Sequence, residues 1–232
     1  MTDAAGVAAL LGRQRVILLD FDGPVCAIFA NHPAPEIART LCVTLREIGI
    51  EPPSPVAAES DPLEVLRWTA TLGMPDAVRR VEKRLCAEEL VAAETAEPTR
   101  YGREAIIAAY EAGKPVAIVS NNSAPAISAY LRRQRLERYT MPVCGREFGR
   151  PELMKPNPEP ILRAAKAVGA HPSESVLIGD SLADIDGARA AQVSVVGYAN
   201  REEKLERFRK AGADIVLTSM ADIACALIEM KL

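Results

Sequence analysis

Aromatic residues make up only 4% of the 232 positions, so a core must be built mainly from Ala, Leu, Ile and Val. Five scattered cysteines (Cys26, Cys42, Cys86, Cys144, Cys225) are odd in number and lack CxxC spacing. They predict neither a disulfide framework nor a zinc cluster. Long apolar runs are missing too: Val16–Leu19 has strand length, and nothing approaches a membrane span. Met1–Arg15 has no basic start followed by a long apolar stretch, so no signal peptide is expected. Without secretion, Asn121-Asn122-Ser123 is a chance match to a glycosylation acceptor. The net charge of -3 carries no footprint for nucleic acid or an anionic membrane. These absences predict a soluble cytoplasmic protein whose partner is a small molecule. What is abundant is hydrophobic residues, 49% of the chain, enough for one large domain or a domain with an insertion.

Val16-Ile-Leu-Leu19 reads as a buried strand ending at Asp20. From about Asn31 to Arg100 the pattern is helical, over roughly Pro35–Gly49, Pro62–Gly73 and Pro75–Glu94. Pro52-Pro53-Ser54-Pro55 reads as a non-helical loop. Helix and strand then alternate. Helices are predicted at Arg103–Ala112, Ala124–Leu136, Glu159–Val168, Leu182–Ala191, Glu202–Ala211 and from Ala221. Strands are predicted at Val116–Val119, Met141–Cys144, Ser175–Ile178, Val193–Val196 and Ile215–Leu217. Short apolar strands between helices predict a doubly wound α/β core with a parallel sheet covered on both faces. The expected division is a core of residues 1–30 and 101–232 and a mostly helical cap of residues 31–100.

In such sheets ligands sit beyond the carboxyl ends of the strands. That rule marks Asp20-Phe21-Asp22-Gly23, Ser120-Asn121-Asn122, the Lys155-Pro156 loop, and Gly179-Asp180 followed by Asp184. Acidic residues gathered at two strand ends repel one another unless a cation joins them. Oxygen-only donors favour Mg²⁺. Asp20 is placed to touch the metal and to attack phosphorus, since carboxylates serve as phosphoryl nucleophiles. Asp22 can protonate the leaving oxygen and then activate water. Lys155 would neutralise charge on nucleophile and phosphate, while Ser120, Asn121 and nearby amides would hold phosphate oxygens.

The order of these four segments resembles the motifs of the haloacid dehalogenase-like hydrolase superfamily, especially its phosphoglycolate phosphatase and β-phosphoglucomutase branch. The resemblance spans Val16 to Leu217. It implies a Rossmann-like core with a helical cap and a Mg²⁺-dependent phosphatase forming an aspartyl-phosphate on Asp20. It further implies that Asp22 is the acid/base and lends its backbone carbonyl to the metal. Asp180 is then a direct metal ligand, and Asp184 acts through water or from behind the ligands. Pro24 departs from the usual Thr and offers neither hydroxyl nor N–H to support Asp22. Monomer and homodimer are both compatible with the sequence.

Rival readings follow from the same residues. A phosphomutase shares all four motifs, and a phosphate-binding protein without turnover would keep the fold. A dehalogenase would need neither Asp22 nor Asp180. A phosphonate hydrolase would need a cap lysine, and Lys83 lies in a charged run, Arg79–Arg84, read as solvated. Between Asn31 and Arg100, eight Lys and Arg face twelve Asp and Glu, which argues against a polyanion-binding cap. Arg39, Arg67 and Trp68 either face substrate from the cap or, as most such residues do, coat helices. His32 is read as a hinge or surface residue or a substrate contact, and His171 as structural. Cys26 is read as packing, Ser123 as a helix cap and Asp186 as solvated surface. The cap is expected to open and close about links near Asn31 and Pro98.

Overall fold

The computed structural model describes residues 4–230. Helix α1 (Ala4–Arg13) leads into β1 (Val16–Leu19). A short antiparallel pair, β2 (Cys26–Ala27) and β3 (Glu97–Pro98), brackets α2 (Ala34–Glu47), α3 (Ser54–Ala57), α4 (Pro62–Thr71) and α5 (Pro75–Thr95). The chain then alternates through α6 (Gly102–Glu111), β4 (Val116–Ser123), α7 (Ala124–Arg133), β5 (Val143–Arg146) and α8 (Glu159–Ala167). It closes with β6 (Ser175–Gly179), α9 (Leu182–Ala190), β7 (Ser194–Tyr198), α10 (Glu203–Ala211), β8 (Ile215–Leu217) and α11 (Met220–Glu229). No described helix is long and apolar enough to cross a membrane.

Six strands form one parallel sheet in the order β5-β4-β1-β6-β7-β8. Side chains alternate across a strand, so each strand feeds two cores. Ile17, Leu19, Val116, Ile118, Val176 and Ile178 pack with α1, α6, α7 and α11. Val16, Leu18, Ala117, Val119 and Leu177 pack with α8, α9 and α10. Both faces are therefore covered, as the apolar strand composition predicts. The sheet grows from β1 first toward β5 and then, through β6, toward β8. That reversal puts the end of β1 at the topological switch point, where α/β sheets open a crevice.

Helices α2, α4 and α5 close around a third core of Ile37, Leu41, Leu45, Val65, Leu66, Val81 and Leu85. Several boundaries differ from the sequence reading. Ser54 and Pro55 belong to the short helix α3, because proline suits the first turn, where its missing N–H costs nothing. Strand β4 runs on to Ser123, and α7 stops at Arg133 because Arg135 takes a left-handed backbone (φ 55°). The β5 strand begins at Val143, just after Pro142, which has no N–H for the ladder. Helix α1 and the β2–β3 pair were not anticipated. The i, i+3, i+4 spacing of buried Val7, Leu10 and Leu11 was the available signal for α1. Gly113 and Gly169, which follow the predicted helices Arg103–Ala112 and Glu159–Val168, both adopt positive φ (72° and 68°) just past α6 and α8.

Candidate active site

Beyond β1, the Asp20 backbone N–H still joins the sheet through Ile178 O at 2.9 Å. The side chain is buried, and its Oδ1 accepts from the Phe21 N–H at 2.8 Å. The chain then turns sharply, with Val25 and Cys26 N–H donating to Phe21 O. The turn sets Asp22 half-buried, with Oδ1 fixed by the Ile28 N–H at 3.0 Å. Gly23 has φ 109°, and a Cβ there would lie 2.3 Å from Asp180 Cγ, so the turn can pass Asp180 only with glycine. The Thr99 hydroxyl donates to Gly23 O, so a side chain supports this turn from β3's end although Pro24 cannot.

Lys155 is almost fully buried. Its Nζ lies 2.9 Å from Asp20 Oδ1 and 2.5 Å from Asp184 Oδ1, and it donates to Val119 O at 3.0 Å. Its backbone is clamped as well. Asn121 Oδ1 accepts from Lys155 N at 2.8 Å, and Asn121 Nδ2 donates to Lys155 O at 3.1 Å. Arg67 Nη2 donates to the same carbonyl at 2.7 Å. The Asn121 side chain is thus occupied by the Lys155 backbone, although the residue lines the cavity. Ser120 is buried at the cavity edge and its Oγ donates to Asn122 Oδ1 at 3.1 Å.

Asp180 follows β6, and its Oδ2 accepts from Lys204 Nζ at 2.7 Å and Asn200 Nδ2 at 3.1 Å. Asp184 is the third residue of α9 and forms a capping box with Ser181, accepting from its hydroxyl (2.6 Å) and N–H (3.0 Å). The carboxylate that caps α9 therefore also holds Lys155 Nζ. The preceding Gly179 leaves room for it: a Cβ would lie 2.3 Å from Asp184 Cγ. We expect Gly179→Ala to lower stability by about 1–3 kcal/mol through overpacking, measured by urea unfolding; an unchanged midpoint would refute that close fit.

Carboxylate oxygens of Asp20, Asp180 and Asp184 lie within 4.8 Å of one another. Burial, then Asp184, raises the Asp20 pKa well above the ordinary carboxylate range, against the opposing pull of Lys155. Burial likewise raises Asp180, opposed by Lys204, and pushes Asp22 up to about 6. Burial works against the Lys155 charge, but Asp184 and Asp20 outweigh it and hold the ammonium above its usual range. The cluster is thus short of positive charge even with two lysines. Asp20 Oδ2 and Asp180 Oδ1 accept no hydrogen bond among the described residues, whereas both Asp184 oxygens are taken. Two unbonded hard oxygens in a charge-deficient cluster fit a Mg²⁺ ion.

A cavity of about 400 Å³ lies over these groups. Its floor is Asp20, Asp22, Ser120, Lys155 and Asp180; Ser60, Asp61, Glu64 and Arg67 close it from the helical side. Arg67 therefore faces the cavity rather than only coating its helix. Arg39 is exposed, and Trp68 packs on the helical core. His32 pairs with Glu88 at 2.6 Å beside the link, and His171 caps a short turn. Cys26 is buried, and burial raises its thiol pKa, as suits packing. Ser123 takes the N-cap position of α7, but its hydroxyl makes no capping bond. Asp186 and Lys83 are exposed as expected, whereas Glu82, in the same charged run, is buried. Sequence reasoning missed Asn200 and Lys204, although Asn200 follows the end of β7, where the strand-end rule points.

A parallel sheet whose strand ends join an aspartate pair, a buried lysine and two further aspartates beneath a helical layer defines a Rossmann-like hydrolase fold with an acidic centre. The haloacid dehalogenase-like hydrolase model matches residues 14–192, and the chain belongs to that family. Over 74 residues it is 45% identical to pyrophosphatase PpaX of Halalkalibacterium halodurans, covering 31% of this chain and 34% of that one. Over 115 residues it is 29% identical to phosphoglycolate phosphatase of Escherichia coli K12, covering 50% and 45%. The aligned part spans a third to a half of these curated relatives. A β-phosphoglucomutase from Clostridium difficile shares the fold with a TM-score of 0.65 at 17% identity, covering 93% of this chain and 98% of that one. A hydrolase from Pseudomonas syringae gives 0.67 at 17%, covering 93% and 99%.

Proposed function

We propose that the protein is a Mg²⁺-dependent phosphatase that hydrolyses a small-molecule phosphate monoester through an aspartyl-phosphate on Asp20. The observation that carries this reading is Lys155 Nζ held between Asp20 and Asp184, beside Asp180, under a 400 Å³ cavity edged by Ser120. We read residues 1–30 and 101–232 as the catalytic core and 31–100 as the cap that shapes the leaving-group site. The relatives named phosphatases support the reaction class without fixing the substrate.

In the first step Asp20 Oδ2, the unbonded oxygen, forms a bond to phosphorus as the bond to the leaving oxygen breaks. Asp22, with a pKa of about 6, gives that oxygen its proton. In the second step the Asp22 carboxylate takes a proton from water as the water attacks phosphorus. The bond to Asp20 breaks and inorganic phosphate leaves. A pKa near 6 keeps both forms of Asp22 available close to neutral pH. Lys155 holds Asp20 Oδ1 still and offsets its charge, and Ser120 with the Asn121 backbone orients phosphate oxygens. Mg²⁺ would be held by Asp180 Oδ1, the Asp22 carbonyl and the Asp20 oxygen that does not attack, and when bound it would neutralise charge on the phosphoryl oxygens.

The test is phosphate release from p-nitrophenyl phosphate and a panel of phosphorylated metabolites. We expect release with Mg²⁺, loss with EDTA and recovery when Mg²⁺ is restored. Interconversion of sugar phosphates without net release would replace the phosphatase with a mutase. Folded protein that turns over nothing would leave a phosphate-binding protein.

A further inference from the structure

The longest described helix, α5, carries two glutamates on its inward face, Glu82 and Glu89, seven residues or two turns apart, and both are buried. Buried charges persist only with partners. Both meet Arg146 at the end of β5, whose side chain is wholly shielded from solvent. Arg146 Nε lies 2.7 Å from Glu82 Oε1, Nη1 lies 2.9 Å from Glu89 Oε1, and Nη2 lies 3.2 Å from Glu89 Oε2.

The network does not end at the ion pairs. Arg146 Nη1 also donates to Asn121 O at 2.6 Å. Glu89 Oε2 accepts from the Ser123 N–H at 3.0 Å, and Glu89 Oε1 accepts from Asn122 Nδ2 at 3.4 Å. Asn122 Oδ1 in turn accepts from the Ser120 hydroxyl. Every residue from Ser120 to Ser123 is therefore tied, directly or through one neighbour, to Glu89 and Arg146. The stretch needs such ties. The register between β4 and β5 shifts between Val119 and Ser123, so regular ladder pairing lapses where the chain lines the cavity. Glu82 differs: its second oxygen accepts from the Gly149 N–H and touches nothing in the Ser120–Ser123 stretch.

We propose that Glu89 and Arg146 are positioning residues that hold Ser120–Ser123 in the shape that receives the phosphoryl group. Glu82 only helps to anchor Arg146. The inference rests on the phosphatase reading. Glu89→Gln keeps the shape but presents an amide N–H₂ where Ser123 and Arg146 need acceptors.

The measurement is the KM and kcat for p-nitrophenyl phosphate, the inhibition constant of inorganic phosphate, and the thermal midpoint of wild type, Glu89→Gln and Glu82→Gln. Positioning predicts that Glu89→Gln raises KM and the phosphate inhibition constant about tenfold, as loss of a charge-assisted bond would. Glu82→Gln, with a comparable fall in midpoint, keeps both constants within about twofold of wild type. If Glu89→Gln does not fold, Arg146→Lys gives the same readout, because a single ammonium cannot hold both Glu89 oxygens and the Asn121 carbonyl. Equal kinetic constants in the Glu82 and Glu89 variants, with equal loss of midpoint, overturn the positioning role while leaving an active wild type intact. A wild type that neither turns over nor binds phosphate overturns both readings.

Discussion

Asp20→Asn is expected to lower kcat roughly 10⁴-fold or more, the scale seen when a member of a nucleophilic set is removed. The amide is nearly isosteric and its Oδ1 can still accept from the Phe21 N–H, but it cannot form the bond to phosphorus. The same change is not expected to weaken the fold. Burial and Asp184 raise the Asp20 pKa, so folding disfavours its ionised form. That cost is absent below the ordinary carboxylate range and complete above the raised pKa, and the neutral amide removes it. In metal-free buffer at pH 7.5 the variant is expected to melt no lower than wild type, while turnover with Mg²⁺ disappears. Residual kcat within a hundredfold of wild type would exclude Asp20 as nucleophile.

Lys155→Met has the opposite profile: it is expected to damage stability and activity together. The ammonium stands between two buried carboxylates, and deleting it leaves Asp20 and Asp184 uncompensated. Breaking a buried pair in this way costs about 3–5 kcal/mol, corresponding to a fall in melting temperature of about 10 °C for a chain of this size. Protonating Asp20, whose pKa burial and Asp184 already raise, relieves the repulsion, so the deficit should shrink as the pH is lowered from 7.5 toward 5. Lys155→Arg is not expected to restore wild-type stability, because a planar fork cannot occupy the niche of a point charge. Melting curves across this pH range measure both effects. A deficit that stays constant or grows at low pH would mean that something other than the carboxylates sets it.

The parts of this molecule that the sequence disclosed are those governed by local pattern. Val16–Leu19 between Arg15 and Asp20 has one sensible burial, and the helix–strand alternation after Arg103 follows from apolar periodicity. The strand-end rule then gathers Asp20, Asp22, Ser120 and Asp180, and the structure brings them together with Lys155 in one cavity. What escaped depends on partners distant in sequence. Lys204 lies in a helix so rich in charge that each cation looks solvated, yet its ammonium reaches Asp180. Glu82 sits among Arg79, Arg80, Lys83 and Arg84, and its burial is made tolerable by Arg146, sixty-four residues away, with the Gly149 N–H. Helix α3 was hidden because prolines that read as a break serve equally well as a first turn.

The buried Arg146 junction also sets what it costs the helical layer to move. Swinging all four helices away about Asn31 and Pro98 would have to pull Glu82 and Glu89 off a guanidinium shielded from water. Helix α5 is therefore part of the frame. Helices α2 and α4 share the buried core of Ile37, Leu41, Val65, Leu66, Val81 and Leu85 with α5, so they are held to the same frame. Any opening that spares this junction would have to part α2 and α4 from α5 across that core, a larger cost than releasing Arg67 from Lys155 O.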